Sequence, residues 1–294
     1  MAPENYIYKK EVDKSFLKEG FSIPVANQVY FQKSVDQFLK RGQRKSIKIL
    51  LDGDIYNAKL VNQSFDENKY PAHKDILQIR YTPKGDLSKR LKQIFFQSHD
   101  YIDTERSKLQ KISKRYIKIP PELKEYGALY TTDDPDTLLL ECITESDNEF
   151  AKSNFSNMNE EEFEFENNYK TLDTSAKIES KLQLTKIRKL DKAIGENLKI
   201  FYDFRCQICG RNVSVKYGTN IVEAHHIEPF VTSLNNNAEN IMILCPNHHR
   251  IIHKTNPTFN RETLLFKYEN GWYEKLKLNA HLQNQFQHIL FQNL

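Results

Sequence analysis

Three short segments decide how the carboxyl-terminal part of this 294-residue chain folds: CQIC (206–209), VEAHHIEP (222–229) and ENIMILCPNHHRIIH (239–253). They contain two metal-binding hooks, Cys206-Gln-Ile-Cys209 and Cys245-Pro-Asn-His248, each with two ligands three positions apart. A tight turn can present both ligands of such a hook to one tetrahedral zinc ion. Because four ligands leave no open coordination position, the pattern predicts a structural zinc site.

Histidines are concentrated around these hooks, with five of the nine in the chain lying among residues 225–253. His225 and His226 are adjacent, and neighbouring residues of a strand point to opposite faces, so we expect them to serve different partners. An imidazole can accept a proton near neutral pH or bind a metal ion, so the pair can provide one ring for each task.

The ordered combination YDFRCQICG (202–210), EAHHIEPF (223–230) and ENIMILCPNHH (239–249) resembles the HNH, or ββα-metal, endonuclease family. Within that family it is similar to the branch found in bacterial restriction enzymes. The resemblance covers about residues 195–255, a fifth of the chain. It implies a small ββα-metal nuclease domain with a structural zinc site.

The resemblance also implies a role for each matching residue. His226 corresponds to the general base, and Asn240 to the residue that supports the motif loop. His225 and His249 correspond to ligands of a catalytic divalent ion. His253, four residues beyond His249 on the same helical face, corresponds to the extra ligand of colicin-type DNases, although a bystander role stays open. We expect Mg²⁺ or Mn²⁺ as the catalytic ion, while histidine ligands also admit Ni²⁺ or Zn²⁺.

Some nearby residues allow more than one interpretation. Glu223 shares a strand face with His225 and is expected either to support the metal ligands or to face solvent. The segment 264–278 is expected to form a hairpin around Asn270-Gly271, with Trp272 packed into the core. Cys142 lies in an apolar stretch and is expected to be a small buried residue.

The composition is that of a globular protein, with 39% hydrophobic and 12% aromatic residues, long enough for two domains. The net charge of +4 conceals an uneven distribution: +10 over residues 1–120, −12 over 121–173 and +6 over 174–294. Basic regions on either side of an acidic one favour a polyanionic partner, although lysine-rich surfaces are also common without one. No membrane-spanning apolar run is present, and we expect a cytoplasmic protein.

We therefore expect an α+β protein with three parts: a mixed, β-rich DNA-recognition domain over 1–150, an acidic linker over 151–173 and the nuclease domain over 174–294. Strands are expected on both sides of Asp52-Gly53-Asp54, and again over 126–130 and 137–143. Residues 86–96 are expected to be helical. An alternative for the acidic segment is that it occupies a basic groove as an intramolecular mimic of DNA.

These features together predict a sequence- or modification-specific endonuclease of double-stranded DNA, of the restriction type. A homodimer would place one site on each strand, and a cognate methyltransferase would be encoded nearby. Two alternatives stay open: a non-catalytic zinc module that binds DNA, and an HNH nuclease of a homing, phage or recombination system. The residues expected to contact DNA phosphates are Lys40, Arg41, Arg44, Lys45, Lys48, Lys89, Arg90 and Lys92.

Overall fold

The computed structural model of the chain describes residues 6–24, 39–65, 76–109, 116–134, 136–155, 157–170 and 179–282. The chain forms two compact units that divide between Asn148 and Glu149. Over the described ranges, none of the helices combines the length and the apolar character needed to cross a membrane.

A seven-stranded sheet lies at the centre of the first unit. Its strands are β1 (Tyr6–Glu11), β2 (Gly20–Ile23), β3 (Arg44–Leu51), β4 (Asp54–Asn62), β5 (Leu77–Arg80), β6 (Tyr126–Thr131) and β7 (Thr137–Ile143). They are arranged in the order β1-β6-β7-β3-β4-β5-β2, with β3 and β7 parallel and the other neighbours antiparallel. The helices of this unit are α1 (Lys14–Lys18), α2 (Asp86–Ile94) and α3 (Phe96–Ser107).

The expected hairpins and the expected helix are present in this unit. Strands β3 and β4 pair in the register that joins Leu51 to Asp54. Asp52 and Gly53 form the turn with φ values of 52° and 88°, the positive angles that a tight hairpin turn requires. Strands β6 and β7 form the second hairpin. Cys142 is buried in the core, as expected. The β-rich character of the amino-terminal part is thereby confirmed.

The second unit combines helices with two small sheets. Its elements are α4 (Glu145–Phe155), in which the division falls, α5 (Glu160–Tyr169), α6 (Glu179–Phe201), α7 (Ser214–Tyr217), β8 (Glu223–His226), α8 (Phe230–Ser233), β9 (Ile241–Leu244), α9 (Pro246–Thr255), β10 (Thr258–Asn260), β11 (Leu265–Lys267) and β12 (Tyr273–Lys275). Strands β8 and β9 pair antiparallel, and α9 follows directly. Pro246 is the first residue of this helix. Proline is well tolerated at this position because an amide hydrogen there would have no acceptor within the helix. Two strands and a helix thus bring the motif segments together.

The acidic segment differs from the linker that its composition predicts. Residues 145–155 and 160–169 form the helices α4 and α5. Phe163 is 1% exposed and stacks on Phe230, with ring centroids 4.8 Å apart. Asn168 donates to the Ala224 carbonyl at 3.1 Å and accepts from the Ala224 amide at 2.9 Å. The segment is therefore packed against β8 and Phe230, through Asn168 and through the buried side chains Phe163, Glu164 and Asn167 of α5.

The hairpin expected near the end of the described chain is also present. Strands β11 and β12 pair antiparallel, and Gly271 has a φ of 82° in the turn between them. The expectation for Trp272 is wrong, since this residue is 67% exposed. The buried positions belong instead to Phe266 of β11 and to Leu276, directly after β12, which lie in one apolar cluster with Cys206 and Cys245.

Candidate active site and metal centres

The two hooks come together at one point of the second unit. The four donor atoms of Cys206, Cys209, Cys245 and His248 all lie within 4.8 Å of one another. Nδ1 of His248 is 3.1 Å from the Cys245 sulfur and 3.5 Å from the Cys206 sulfur. Ligands of one tetrahedral zinc ion lie at separations of about 3.3–3.8 Å, given zinc–ligand bonds of about 2.0–2.3 Å. The cluster could therefore hold zinc.

Backbone hydrogen bonds tie the first hook to the hairpin. The Gln207 amide donates to the Ile243 carbonyl at 2.8 Å, and the Gln207 side chain accepts from the Ile243 amide at 2.7 Å. Gly210 turns the chain back with a φ of 73°, and its amide donates to the Cys206 carbonyl. The hook is thus attached to β9, the strand that leads into Cys245.

Cys245 is placed for metal binding. A hydrogen bond from the Cys206 thiol, together with the neighbouring His248, holds the pKa of Cys245 well below its usual range. These contacts favour the thiolate of Cys245, which is the form that binds metals. Nε2 of His248 lies 3.4 Å from Oε1 of Glu274, and this contact orients the ring with Nδ1 towards the sulfurs.

The three histidines expected to bind a catalytic ion also come together. Nε2 of His249 and Nε2 of His253 are 3.3 Å apart, one turn from each other on α9. The ring of His225, on β8, lies edge-on to both, with centroids 5.2 and 4.9 Å away. All three residues are largely enclosed, since His225 and His249 are each 6% exposed and the side chain of His253 is 13% exposed.

A carboxylate from α5 lies among these histidines. Oε2 of Glu164 is 2.6 Å from Nε2 of His249 and 2.7 Å from Nε2 of His253. The same oxygen is 3.1 Å from Nδ1 of His225. Burial opposes ionisation of Glu164, but the imidazoles of His225, His226 and His249 outweigh it and hold its pKa well below its usual range. The cluster is thus a set of three imidazoles and one carboxylate.

Glu223 supports the cluster from the other side of His249. Its Oε2 is 2.6 Å from Nδ1 of His249, while its Oε1 accepts a hydrogen bond from the Tyr169 hydroxyl. Glu223 is 7% exposed, so the solvent-facing alternative is wrong, and its partner is His249 rather than His225. Burial opposes the charge on His249, but Glu164 and Glu223 raise its pKa to about 9.

His226 is enclosed by acidic side chains. Its Nε2 is 2.8 Å from Asp191 on α6, and its Nδ1 is 3.0 Å from Glu160 and 3.1 Å from Glu164. The residue is 4% exposed, and its ring stacks on Phe230 with centroids 5.1 Å apart. Burial lowers the pKa of His226, but the carboxylates, Asp191 first, outweigh it and hold the pKa well above its usual range.

The arrangement of the histidine pair differs in one respect from the sequence expectation. His225 and His226 do not serve unrelated surroundings, because both contact Glu164, one at each carboxylate oxygen. A small cleft lined by α5 and α6 residues reaches Glu164 and His226, and Lys192 and Lys199 are among the residues that line it.

Asn240 closes the loop between β8 and β9. Its side chain accepts from the Glu228 amide at 2.9 Å and donates to the Glu228 and Asn235 carbonyls at 2.9 and 2.8 Å. Its backbone carbonyl accepts from the Ile227 amide, directly after His226. Asn240 is fully buried. These bonds fix the backbone of the loop that follows His226.

The residues expected to contact DNA lie in the first unit. Lys45 pairs with Asp136, Lys89 with Asp86 and Arg90 with Asp52. The Arg41 guanidinium lies over the Phe65 ring, 4.3 Å from its centroid. The residues Lys40, Arg44 and Lys48 are exposed, while Lys92 is half-buried. Arg44 and Lys48 share the outer face of β3 with Lys59 of β4, which sequence reasoning did not include.

Sequence reasoning also missed the acidic residues around His226. Glu160 and Glu164 are four positions apart on α5, a spacing that places both on one helix face with Phe163 beside them. Asp191 lies between the buried residues Leu190 and Ile194 of α6, and a carboxylate within an apolar stripe is itself a sign of a buried partner. Their distance from the histidines in sequence concealed the contact.

Comparison with known proteins supports the same part of the chain. The sequence model of the HNH endonuclease family matches residues 206–255. This match covers both hooks, the histidine pair, Asn240 and α9, and it supports a nuclease of the HNH type. No curated protein and no solved structure matches the chain significantly.

Proposed function

We propose that the chain is a divalent-metal-dependent endonuclease of double-stranded DNA, with His226 as the general base. The observation that carries the proposal is the meeting of His225, His249 and His253 at one point, directly beside His226 in the β8–β9 hairpin. A single imidazole cannot both bind an ion and accept a proton from water. The adjacent pair in this hairpin provides one imidazole for each task.

The histidine cluster fits a catalytic divalent ion by its donor set. Three imidazole nitrogens are available, and Glu223 fixes the orientation of one of them through its second ring nitrogen. A divalent ion held there supplies positive charge to the scissile phosphate and its leaving oxygen. Mg²⁺ and Mn²⁺ are the ions we propose, and the Cys206, Cys209, Cys245 and His248 cluster is proposed to hold a structural zinc ion.

His226 is oriented for proton transfer by Asp191. When Nε2 donates to the Asp191 carboxylate, Nδ1 is the atom left to accept a proton. In the described arrangement Nδ1 lies 3.0 Å from Glu160 and 3.1 Å from Glu164, and these carboxylates favour a protonated ring. His226 can therefore accept a proton from water only after Glu160 has moved away from Nδ1 and the ring has lost its proton. Glu160 is the more exposed of the two acidic neighbours of Nδ1, with 13% of its side chain accessible against none for Glu164. We propose that binding of DNA displaces Glu160.

We propose that the first unit confers target choice, since a single small nuclease module reads little sequence by itself. The outer face of β3 and β4, with Arg44, Lys48 and Lys59, supplies phosphate contacts of the kind that position DNA without reading its sequence. Restriction of foreign DNA by a homodimer, with a cognate methyltransferase protecting the host, is the role we propose.

Cleavage of supercoiled plasmid in the presence of Mg²⁺ or Mn²⁺ tests the proposed function. We expect the wild-type chain to produce nicked and linear DNA, and the variant His226→Ala to do so at least about 100-fold more slowly, because a positioned base contributes about that factor or more. His99→Ala, which removes a histidine of α3 in the first unit, is the matched control and should cut like the wild type. DNA binding without cleavage under any ion would favour the non-catalytic zinc module.

A further inference from the structure

The carboxylate of Glu164 has an unusual set of neighbours, because three imidazole nitrogens surround one of its oxygens. The distances from Oε2 are 2.6, 2.7 and 3.1 Å, to His249, His253 and His225. A carboxylate oxygen has two lone pairs, so it cannot accept a full hydrogen bond from three ring nitrogens. Two of the nitrogens can donate to this oxygen, and the third has to find another partner, such as the 3.3 Å contact between Nε2 of His249 and Nε2 of His253.

The same four atoms lie close enough together to bind one ion. Ligands around an ion with bonds of about 2.1 Å are separated by about 3.0–3.4 Å in octahedral or tetrahedral geometry. Two of the separations, 3.1 Å for His225 and 3.3 Å between His249 and His253, lie in this range, and all four donors lie within 4.8 Å of one another. The two contacts of 2.6 and 2.7 Å would lengthen by about 0.3–0.4 Å around an ion. One divalent ion can accept a lone pair from each donor, which hydrogen bonding to a single oxygen cannot achieve.

The position of Glu164 is fixed by the fold. Its other oxygen, Oε1, accepts the backbone N–H of His226 at 2.5 Å, so the carboxylate cannot turn away without losing a buried hydrogen bond. The helix that carries it is held on one side by Phe163 against Phe230 and on the other by Asn168 against the backbone of Ala224. Helix α5 is thus docked on the strand that carries His225.

We propose that Glu164 is a fourth protein ligand of the catalytic ion, supplied by α5, which lies more than thirty residues before the segment that the family model matches. This inference rests on the proposed function only in calling the ion catalytic, since it concerns binding of the ion and not cleavage of DNA. A site of three imidazoles and one carboxylate carries one negative charge and a hard oxygen donor, which favours Mn²⁺ more than three imidazoles alone do. The nuclease module then includes α5.

The test is binding of Mn²⁺ to the zinc-loaded full chain, measured by isothermal titration calorimetry and by the loss of the free Mn²⁺ signal in electron paramagnetic resonance. Glu164→Gln retains the shape and the acceptor for the His226 amide but removes the charge. We expect it to weaken Mn²⁺ binding at least about tenfold. Glu162→Gln removes one charge from an exposed position of the same helix and should bind like the wild type.

Two further variants keep the result interpretable. His225→Ala should weaken Mn²⁺ binding as Glu164→Gln does, while Glu164→Asp, with the charge on a shorter side chain, should lie between the wild type and Glu164→Gln. Thermal unfolding of each variant identifies any that fail to fold. Equal or tighter Mn²⁺ binding by Glu164→Gln would overturn the inference and indicate that the carboxylate obstructs the site. Absence of Mn²⁺ binding in the wild type would also overturn it.

The outcome separates this inference from the proposed function. If Mn²⁺ binding depends on Glu164 but plasmid remains uncut, the proposed function fails and the ligand assignment stands. If plasmid is cut and Glu164→Gln binds Mn²⁺ as tightly as Glu162→Gln does, the ligand assignment fails and the nuclease stands.

Discussion

Asn240 holds the loop between β8 and β9 through one buried side chain. Its side chain makes three hydrogen bonds to the backbone of Glu228 and Asn235, and the substitution Asn240→Ala removes all three. Because each unsatisfied buried polar group costs about 1–3 kcal/mol, we expect a loss of about 2–4 kcal/mol in the free energy of unfolding. Urea denaturation measures this loss.

The control for this prediction is a second asparagine of the same loop. Asn237 is exposed, and Asn237→Ala should change the free energy of unfolding by less than about 0.5 kcal/mol. If the two alanine variants unfold at the same urea concentration, Asn240 does not support the loop in the way described.

The sequence and the structure agree best for residues that act within one short segment. The resemblance to the HNH family predicts that His225, His249 and His253 meet, and the structure places them together. These three residues lie within thirty positions of one another, in one hairpin and the helix that follows it. Asp191 and Glu164 lie on separate helices, and their contact with His226 depends on how those helices pack. Local spacing carries no information about that packing.

The two hooks join the β8–β9 hairpin to α9, and their cysteines lie in one apolar cluster with Met242, Leu244 and Ile252. Cys245 lies between β9 and α9, so its substitution removes the zinc ligand at the junction of these two elements. We expect Cys245→Ser to lose bound zinc and to unfold the second unit at a lower temperature, since binding of a structural zinc ion contributes to folding. Elemental analysis and thermal unfolding measure the two effects.

Cys142→Ser is the matched control for the zinc prediction. This cysteine is buried in the first unit and belongs to its apolar core. The variant should retain zinc at the wild-type level while losing some stability of the first unit. Retention of zinc by Cys245→Ser would contradict the assignment of the four-residue cluster.

The hairpins and α5 illustrate what local sequence determines. An Asp-Gly pair between alternating apolar residues predicts the β3–β4 hairpin, because both turn residues accept positive φ values. Helix α5 has four glutamates in its first five residues, a composition typical of a solvated segment. It is packed nevertheless, because histidines of a distant strand and helix compensate its buried charge.

At the scale of the whole molecule, the charge distribution has two different meanings. The basic excess of residues 1–120 includes an exposed face on β3 and β4, in agreement with a surface for a polyanion. The acidic excess of residues 121–173 includes Glu160 and Glu164, which lie beside the histidine cluster. Net charge alone could not distinguish a linker from a part of the site.

The second unit is therefore proposed to hold two ions with separate tasks, although the histidines at 248 and 249 are neighbours in sequence. His248 faces the thiols and His249 faces Glu164, because adjacent helical residues point about 100° apart. We propose that a structural and a catalytic metal centre are kept apart in this way.

Anomalous diffraction from crystals grown with Mn²⁺, recorded on both sides of the zinc and manganese absorption edges, tests whether the two centres are separate. We predict one zinc peak among the thiols and His248, and one manganese peak within bonding distance of the nitrogens of His225, His249 and His253. A single ion shared by both clusters, or manganese bound away from these three nitrogens, would contradict it.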